Sequence, residues 1–512
     1  MQRSGKHIIL LLLSMALILS GRPLIAQNAR VIGYDEAIRI ALGQSFTIKS
    51  YLEKQRAMEQ SYNYNKAQFK PRIDISAFAP SLNETVQPVQ RIDGLPVYNS
   101  VGTMQAGGFL TFTYMLPTGG NFALRSTLYQ ENLTTVLALQ DYTELERDQA
   151  YSSLNLSFDH PIFTRNTLQE NLEQARLNFE QSSFTFSRQQ LDIVYNVTNS
   201  FYQVFNSTRQ AEIAREKLAN SEEAFRIASL KGETGRIPEG DVLIAEITVA
   251  QDRAALLERE GELQRTQDSF KQLIGLDLAE NIQIRTTLEY DTFSINEEKA
   301  IEEAFRNRYE IQEKELTVDL RQIEVERANR EREFKGNISA YYDVTGVSTL
   351  TRGSTRALFE SSFDNFVDRP PNRGITLSFS YPVYDWGRGS ARTQQEKANL
   401  KDAELDYENT KVSITREVRD IVRNVEIARL RLVIQERNQE IAQRSYAISL
   451  LRFENGDITS QELGVEQQRL ANTQIEFLNA FITYQLSIAD LKRKTLWNFE
   501  TGSEYTIDEY LR

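Results

Sequence analysis

One stretch of this chain is used twice. Leu156 to Gly275 recurs without a gap, 221 positions later, as Leu377 to Leu496. A duplication of this length restricts the fold, because each half must form the same unit and bury its apolar surface against its twin. The first copy opens Leu156-Ser157-Phe158-Asp159-His160-Pro161 and the second Leu377-Ser378-Phe379-Ser380-Tyr381-Pro382, so a strand-like alternation ends at proline in both. A long helical pattern follows each. It stops at Gly235-Arg236-Ile237 in the first copy and Gly456-Asp457-Ile458 in the second, and a shorter helix then returns.

The repeat extends upstream at a second offset. Tyr34-Asp35-Glu36-Ala37-Ile38 matches Glu297-Glu298-Lys299-Ala300-Ile301, and Ile75-Ser76-Ala77-Phe78 matches Ile338-Ser339-Ala340-Tyr341, both 263 positions apart. The two offsets differ by 42 residues, so the first half carries an insertion of that size between about Phe78 and Leu156.

The helical stretches hold a seven-residue rhythm. Steps of seven from Leu172 reach Phe179, Phe186, Ile193, Ser200, Ser207, Ala214, Ser221 and Ala228; from Thr393 they reach Leu400, Tyr407, Ile414, Ile421, Ala428, Gln435, Ala442 and Ser449. A repeat of seven sustained this long imposes coiled-coil packing. The expected helices are 34–69, 164–231 and 238–275 in the first half, and 297–334, 386–452 and 459–496 in the second. Each long helix spans roughly 100 Å at 1.5 Å per residue, and the short ones match it if stacked end to end in pairs. In the last helix, Leu470, Phe477, Phe481, Tyr484, Ile488 and Leu491 form one apolar row and Ala471, Ile475, Leu478 and Ile482 a second. Two adjacent rows predict neighbours on two sides.

Between the helices lie alternating segments of roughly ten residues, the pattern of strands that cross an outer membrane with oil on one face and water on the other. Leu110, Phe112 and Tyr114 alternate with Thr111 and Thr113; Ile375, Leu377 and Phe379 alternate with Thr376 and Ser378. The strand regions are 72–163 and 337–384. Residues 80–106, with Pro80, Pro88, Pro96, Gly94 and Gly102, and residues 131–150 read as outer loops, and Pro117-Thr118-Gly119-Gly120 as a tight inner turn. The extra hairpin 107–130 either crosses the membrane, giving six strands per chain, or decorates the surface, leaving four crossing segments. A soluble β-layer is the other reading of the alternation. Residues 276–296 link the halves at the equator, and 497–512 form an acidic tail.

Composition excludes several classes. Net charge is −12, with 59 basic and 71 acidic residues and no basic stripe, which argues against a nucleic-acid partner. Cysteine is absent, which removes disulfides and thiolate metal sites. Only His7 and His160 are present, and no nucleophilic triad or phosphate-binding glycine loop appears, so no enzyme activity, cofactor or metal is expected. Arg3, Lys6 and the apolar run Ile8–Leu19 read as a signal peptide over 1–26, cleaved after Ala26, with an uncleaved anchor as the alternative.

Taken together these residues resemble the TolC-like outer-membrane efflux proteins. The resemblance rests on the doubled helix-strand-strand-helix-helix plan, on Pro161 and Pro382 at the strand-to-helix junctions, on Tyr384-Asp385-Trp386-Gly387-Arg388, and on the two glycine turns. It implies a mainly α fold with transmembrane β: a homotrimer whose long coiled-coil α-helical barrel is continuous with a shared outer-membrane β-barrel, the helices standing in the periplasm of a Gram-negative bacterium. It also implies that Gly235, Arg236, Ile237, Gly456, Asp457 and Ile458 are tips meeting a periplasmic adaptor protein. Asp241 and Glu462 would be acids of the periplasmic gate, and an inner-membrane transporter would drive a passive exit duct. A trimeric coiled-coil adhesin or scaffold, or a periplasmic adaptor, remain the rival readings.

Overall fold

The computed structural model describes residues 30–510 apart from 93, 286, 287, 289, 292, 351, 508 and 509. The expected signal peptide lies outside the described residues. The chain forms two compact units. One consists of Ser187–Arg308 with the chain up to Tyr51 and from Val412; the other of Leu52–Phe186 and Tyr309–Lys411.

The second unit holds a six-stranded antiparallel sheet of β2 (Arg72–Val89), β3 (Val97–Met115), β4 (Asn121–Leu137), β5 (Thr143–Ile162), β7 (Lys335–Val347) and β8 (Asn372–Ser380), paired in that order. The sheet is open, with β2 and β8 as its edges. Its two faces separate by polarity. Ile73, Phe112, Leu124, Leu156 and Tyr342 stand opposite one another across five strands, and the next row is Asp74, Thr111, Arg125, Asn155 and Asp343. The apolar row belongs to an exposed face, Ile75 being 83 % and Ile375 82 % accessible.

Two expectations are corrected here. Residues 80–106 and 131–150 are not long loops, because strands β2 to β5 continue through them and leave only 90–96 and 138–142 as connections. Pro80 lies where the β2–β3 register shifts, and Pro88 is tolerated because β2 is an edge strand whose missing donor breaks only one ladder. The hairpin within 107–130 belongs to the same sheet. A 14-residue helix, here α7 (Thr355–Asp368), also interrupts the strand region 337–384; Ser354 caps it by accepting from Ala357 N, and Pro370-Pro371 follow its end.

The helices expected over 34–69 and 297–334 are each two. The first is α1 (Tyr34–Gln44) and α2 (Phe46–Ala67), the second α5 (Glu297–Asn307) and α6 (Tyr309–Arg330). One residue breaks each, Ser45 with ψ 133° and Arg308 with ψ 125°. The breaks lie 263 positions apart. The long helices are α3 (Thr167–Glu233) and α8 (Arg388–Asn455), and the returning ones α4 (Glu239–Ile274) and α9 (Ser460–Thr495).

The first unit is cored by α3, α8 and α9, where Phe205, Ile421, Leu432, Phe481, Tyr484 and Leu491 pack together. Both apolar rows of α9 are used, since Leu478 and Ile482 are buried as well as Phe477 and Tyr484. Between the halves, β6 (Ile282–Ile284) pairs in parallel with β1 (Arg30–Ile32). Gly275, with φ +83°, ends α4 so close to α1 that an added Cβ would lie 2.7 Å from the Gln44 carbonyl. The tail is folded: β9 (Trp497–Asn498) pairs with β10 (Ser503–Glu504), and Tyr505 beyond them is buried.

Candidate functional site at the paired helical turns

Both long helices stop in the same way. Gly235 N donates to Gly232 O at 2.9 Å and Arg236 N to Lys231 O at 2.9 Å; Gly456 N donates to Phe453 O at 3.0 Å and Asp457 N to Arg452 O at 2.9 Å. These bonds satisfy the last carbonyls of a helix and require a residue in the left-handed region, which glycine supplies at φ +68° and +90°. Arg236 and Asp457 are left exposed on the outside of the turns, while Ile237 and Ile458 fold inward.

The two turns are packed side by side. Ala228, Ala245, Phe453 and Leu463 form a buried cluster, and Ile237 and Ile458 close on it, so each isoleucine contacts a shared core. Lys231 adds a polar tie: its Nζ donates to the Phe453 carbonyl and lies 4.8 Å from the Phe453 ring centroid. Sequence reading missed this lysine, since nothing in its spacing marks it.

Past the turns the two helix starts differ. Helix α9 begins with a capping box, in which Thr459 Oγ1 accepts from Glu462 N at 3.2 Å while Glu462 Oε2 accepts from Thr459 N at 2.8 Å. Those bonds, the backbone one foremost, hold the Glu462 carboxyl below its ordinary range. The equivalent position before α4 is Pro238, which makes no side-chain cap. Asp241 sits in the first turn of α4, its N donating to Pro238 O at 3.0 Å. The two expected gate acids are therefore in different states, one committed to its own helix and one not capping.

Farther up α3, Lys217 Nζ pairs with the buried Asp252 of α4 at 2.8 Å and donates to Gln468 of α9 at 2.7 Å, and Gln467 Nε2 donates to the Lys217 carbonyl at 2.6 Å. This polar knot links both hairpins and was also missed, because Asp252 reads in sequence as one more solvated helix acid.

At the strand-to-helix junctions, Pro161 is the penultimate residue of β5 and Pro382 follows β8 by two. Asn166 starts α3, its Oδ1 accepting from Leu168 N at 2.9 Å and its Nδ2 donating to Pro117 O of the inner turn at 2.9 Å. Asp385 does the corresponding work before α8, accepting from Gly387 N at 3.0 Å and Gly389 N at 2.8 Å. Exposed aromatics gather here: Tyr384 contacts Trp386 at 4.8 Å, and Phe334 stacks on Phe379 at 5.3 Å.

The profile of the family described as outer membrane efflux protein matches residues 144–276 and 300–494. The chain belongs to the outer membrane efflux protein family. Solved structures with a similar fold include the Campylobacter jejuni CmeC outer membrane channel (TM-score 0.66, 15 % identity, covering 93 % of this chain and 89 % of that one). They also include the outer membrane protein VceC of Vibrio cholerae (0.63, 14 %, 92 % and 96 %) and the open state of the Neisseria gonorrhoeae MtrE channel (0.63, 12 %, 92 % and 89 %). No curated protein matches the sequence. As a member of this family the chain is an efflux channel of the outer membrane with its helical part in the periplasm, and not an enzyme. That membership decides against the adhesin and adaptor readings. No described helix is long and apolar enough to cross a membrane.

Proposed function

We propose that three copies of this chain close a passive exit duct, whose helical turns are engaged by a periplasmic adaptor and an inner-membrane transporter. The observation that carries this is a second apolar stripe on α8. Ile427, Ile434, Ile441 and Ile448 stand seven apart and are 63 %, 58 %, 54 % and 60 % exposed, although α8 already buries Ile414, Ile421, Ala428 and Ala442 within its own chain. A helix with two heptad seams needs two neighbours, and a second copy supplies the missing one. The open edges β2 and β8 call for the same solution, since an unpaired strand edge is prohibitive in lipid. Three six-stranded sheets make an eighteen-stranded barrel, the apolar rows toward lipid and the polar rows toward water.

The doubled architecture supports an origin by internal duplication, with elements of one half recurring at the offsets of 221 and 263. In this reading Gly235, Arg236, Ile237, Gly456, Asp457 and Ile458 form the adaptor contact, with the inward isoleucines keeping the two turns together. Asp241 and Glu462 line the periplasmic gate, where like charges in a narrow mouth favour cations. The transporter supplies the energy, and the adaptor favours a splayed state of the turns.

Purified chain in a planar bilayer tests the duct: steady ion conductance is expected, and its absence from correctly folded material contradicts it. Cysteines at Asp241 and Glu462, oxidised between copies, are expected to abolish export reversibly; unchanged export in the oxidised state removes the gate from the proposal.

A further inference from the structure

Helix α7 is seated on the apolar face of the sheet. Ser362 is fully buried, its Oγ 2.7 Å from Ser152 Oγ and donating to Gly346 O at 3.0 Å. Ser152 and Gly346 are register partners, and the two-residue alternation puts them on the face that carries Leu154, Leu156 and Val344. The contact is close enough that a Cβ on Gly346 would lie 2.0 Å from the Ser362 carbonyl oxygen. Helix α7 therefore continues the apolar surface at the end where the strands turn polar.

The helix has three sides. Leu358 and Ser362 face the sheet and are fully buried. Glu360, Asp364 and Asp368 lie on an acidic side. Between them Phe359, Phe363, Phe366 and Val367 make an apolar side at i, i+4, i+7 and i+8, with Phe363 50 % and Val367 84 % exposed; Arg356 opens that side in the first turn, its Nε donating to Glu360 at 2.8 Å. Arg369 follows the helix. Arg373, at the start of β8, lines a groove of about 540 Å³ with Phe122, Leu156, Phe158, Tyr342 and Ile375.

We infer that α7 lies in the outer leaflet at the boundary of head groups and acyl chains. Its occupant is lipid: the phenylalanine and valine side enters the acyl chains, the acidic side stays in water, and Arg369 and Arg373 reach the phosphates. Continuity with the lipid-facing rows argues for lipid over a protein partner, and a helix with one apolar and one charged side lies in the plane of the interface. Arginine stems cover apolar surface while their heads reach phosphate. The inference rests on the reading of the apolar sheet face as lipid-facing, and the test separates the two.

The chain has no cysteine, so single-site nitroxide labels are available. Labels at V367C, D364C and I375C, all exposed sites, are compared in the full chain reconstituted into vesicles of phosphatidylethanolamine and phosphatidylglycerol. Collision with oxygen, which favours lipid, is set against collision with a water-soluble nickel complex. The ratio at 367 is expected to exceed that at 364 severalfold and to approach that at 375. Equal ratios at 367 and 364, with 375 oxygen-rich, place α7 in water and overturn the inference alone. A label at 367 sheltered from both reagents means a protein neighbour covers it, which also overturns it. A water-like ratio at 375 overturns the lipid-facing sheet together with the inference.

Discussion

Glu462 and Thr459 cap each other across the start of α9, carboxylate to backbone N–H at 2.8 Å and hydroxyl to backbone N–H at 3.2 Å. The turn before α4 has no such pair, having Pro238 in place of Thr459. The bonded carboxylate has its pKa lowered by folding. Its stabilisation is therefore complete above the ordinary glutamate pKa and fades as pH falls through the depressed one. Amide exchange over 460–464 should be severalfold faster in Glu462→Ala than in the parent at neutral pH. The difference should vanish once the parent carboxylate is protonated, and a difference that persists in acid would contradict the assignment.

The left-handed glycines of the two turns are open to a simple substitution. A Cβ at Gly235 or Gly456 meets nothing within 4 Å, so only backbone strain opposes a side chain. Alanine at either should cost about 1–2 kcal/mol locally, and asparagine less. Exchange rates of the amides that bond back to Lys231 and Arg452 report the loss.

The stripe on α8 predicts an assembly defect without a folding defect. Ile434→Asp combined with Ile441→Asp puts charge on residues more than half exposed in the single chain. Helix content by circular dichroism should hold while the mass in detergent by light scattering falls to that of one copy. An unchanged oligomer mass would move the proposed subunit contact elsewhere.

Glu170, only 5 % exposed, is surrounded by Arg330, Arg327 and Arg165, the last two at 3.7 and 3.8 Å. Burial, and then the like charge of Arg165, lowers the Arg330 pKa, and beside Glu170 the guanidinium also holds Glu326 at 2.8 Å. Glu170→Gln removes the central charge but leaves Arg330 and Arg165 on Glu326 and Arg327 on Glu324, and should cost about 1–2 kcal/mol. A fall in the denaturation midpoint that Arg330→Met partly restores would identify charge imbalance as the cause.

Gly346→Ala should lift α7 from the sheet, because the added methyl has no room beneath the Ser362 carbonyl. Protease cleavage within 349–371 should accelerate while the strands on either side stay protected. Equal cleavage rates would mean that the seat adjusts.

The coiled-coil rhythm was legible because burial obeys it: Ile193, Ser221 and Ala228 on α3, and Ile414, Ile421 and Ala428 on α8, are buried. The glycine turns were legible for a different reason, each needing a left-handed conformation that few other residues adopt. What escaped was local. Pro80 and Pro88 read as loop residues, yet an edge strand with a register shift accommodates them. The breaks at Ser45 and Arg308 involve one residue each, too short to disturb a helical period. Helix α7 was hidden by its length and by strand signals on both sides. Thr459-Ser460-Gln461-Glu462 carries the spacing of a capping box, and the same glutamate fills the position that the resemblance implies for a gate acid.

The pairing of Arg30 with Ile282 has a consequence for how the protein comes into being. Helix α1 is seated against the end of α4, whose residues are separated from it by some two hundred positions of intervening polypeptide. A nascent or partly translocated chain has nothing there to dock onto, so β1 and α1 cannot take their final seat until that later stretch arrives. Such a delay suits a polypeptide that has to be threaded through a narrow translocation pore before it matures.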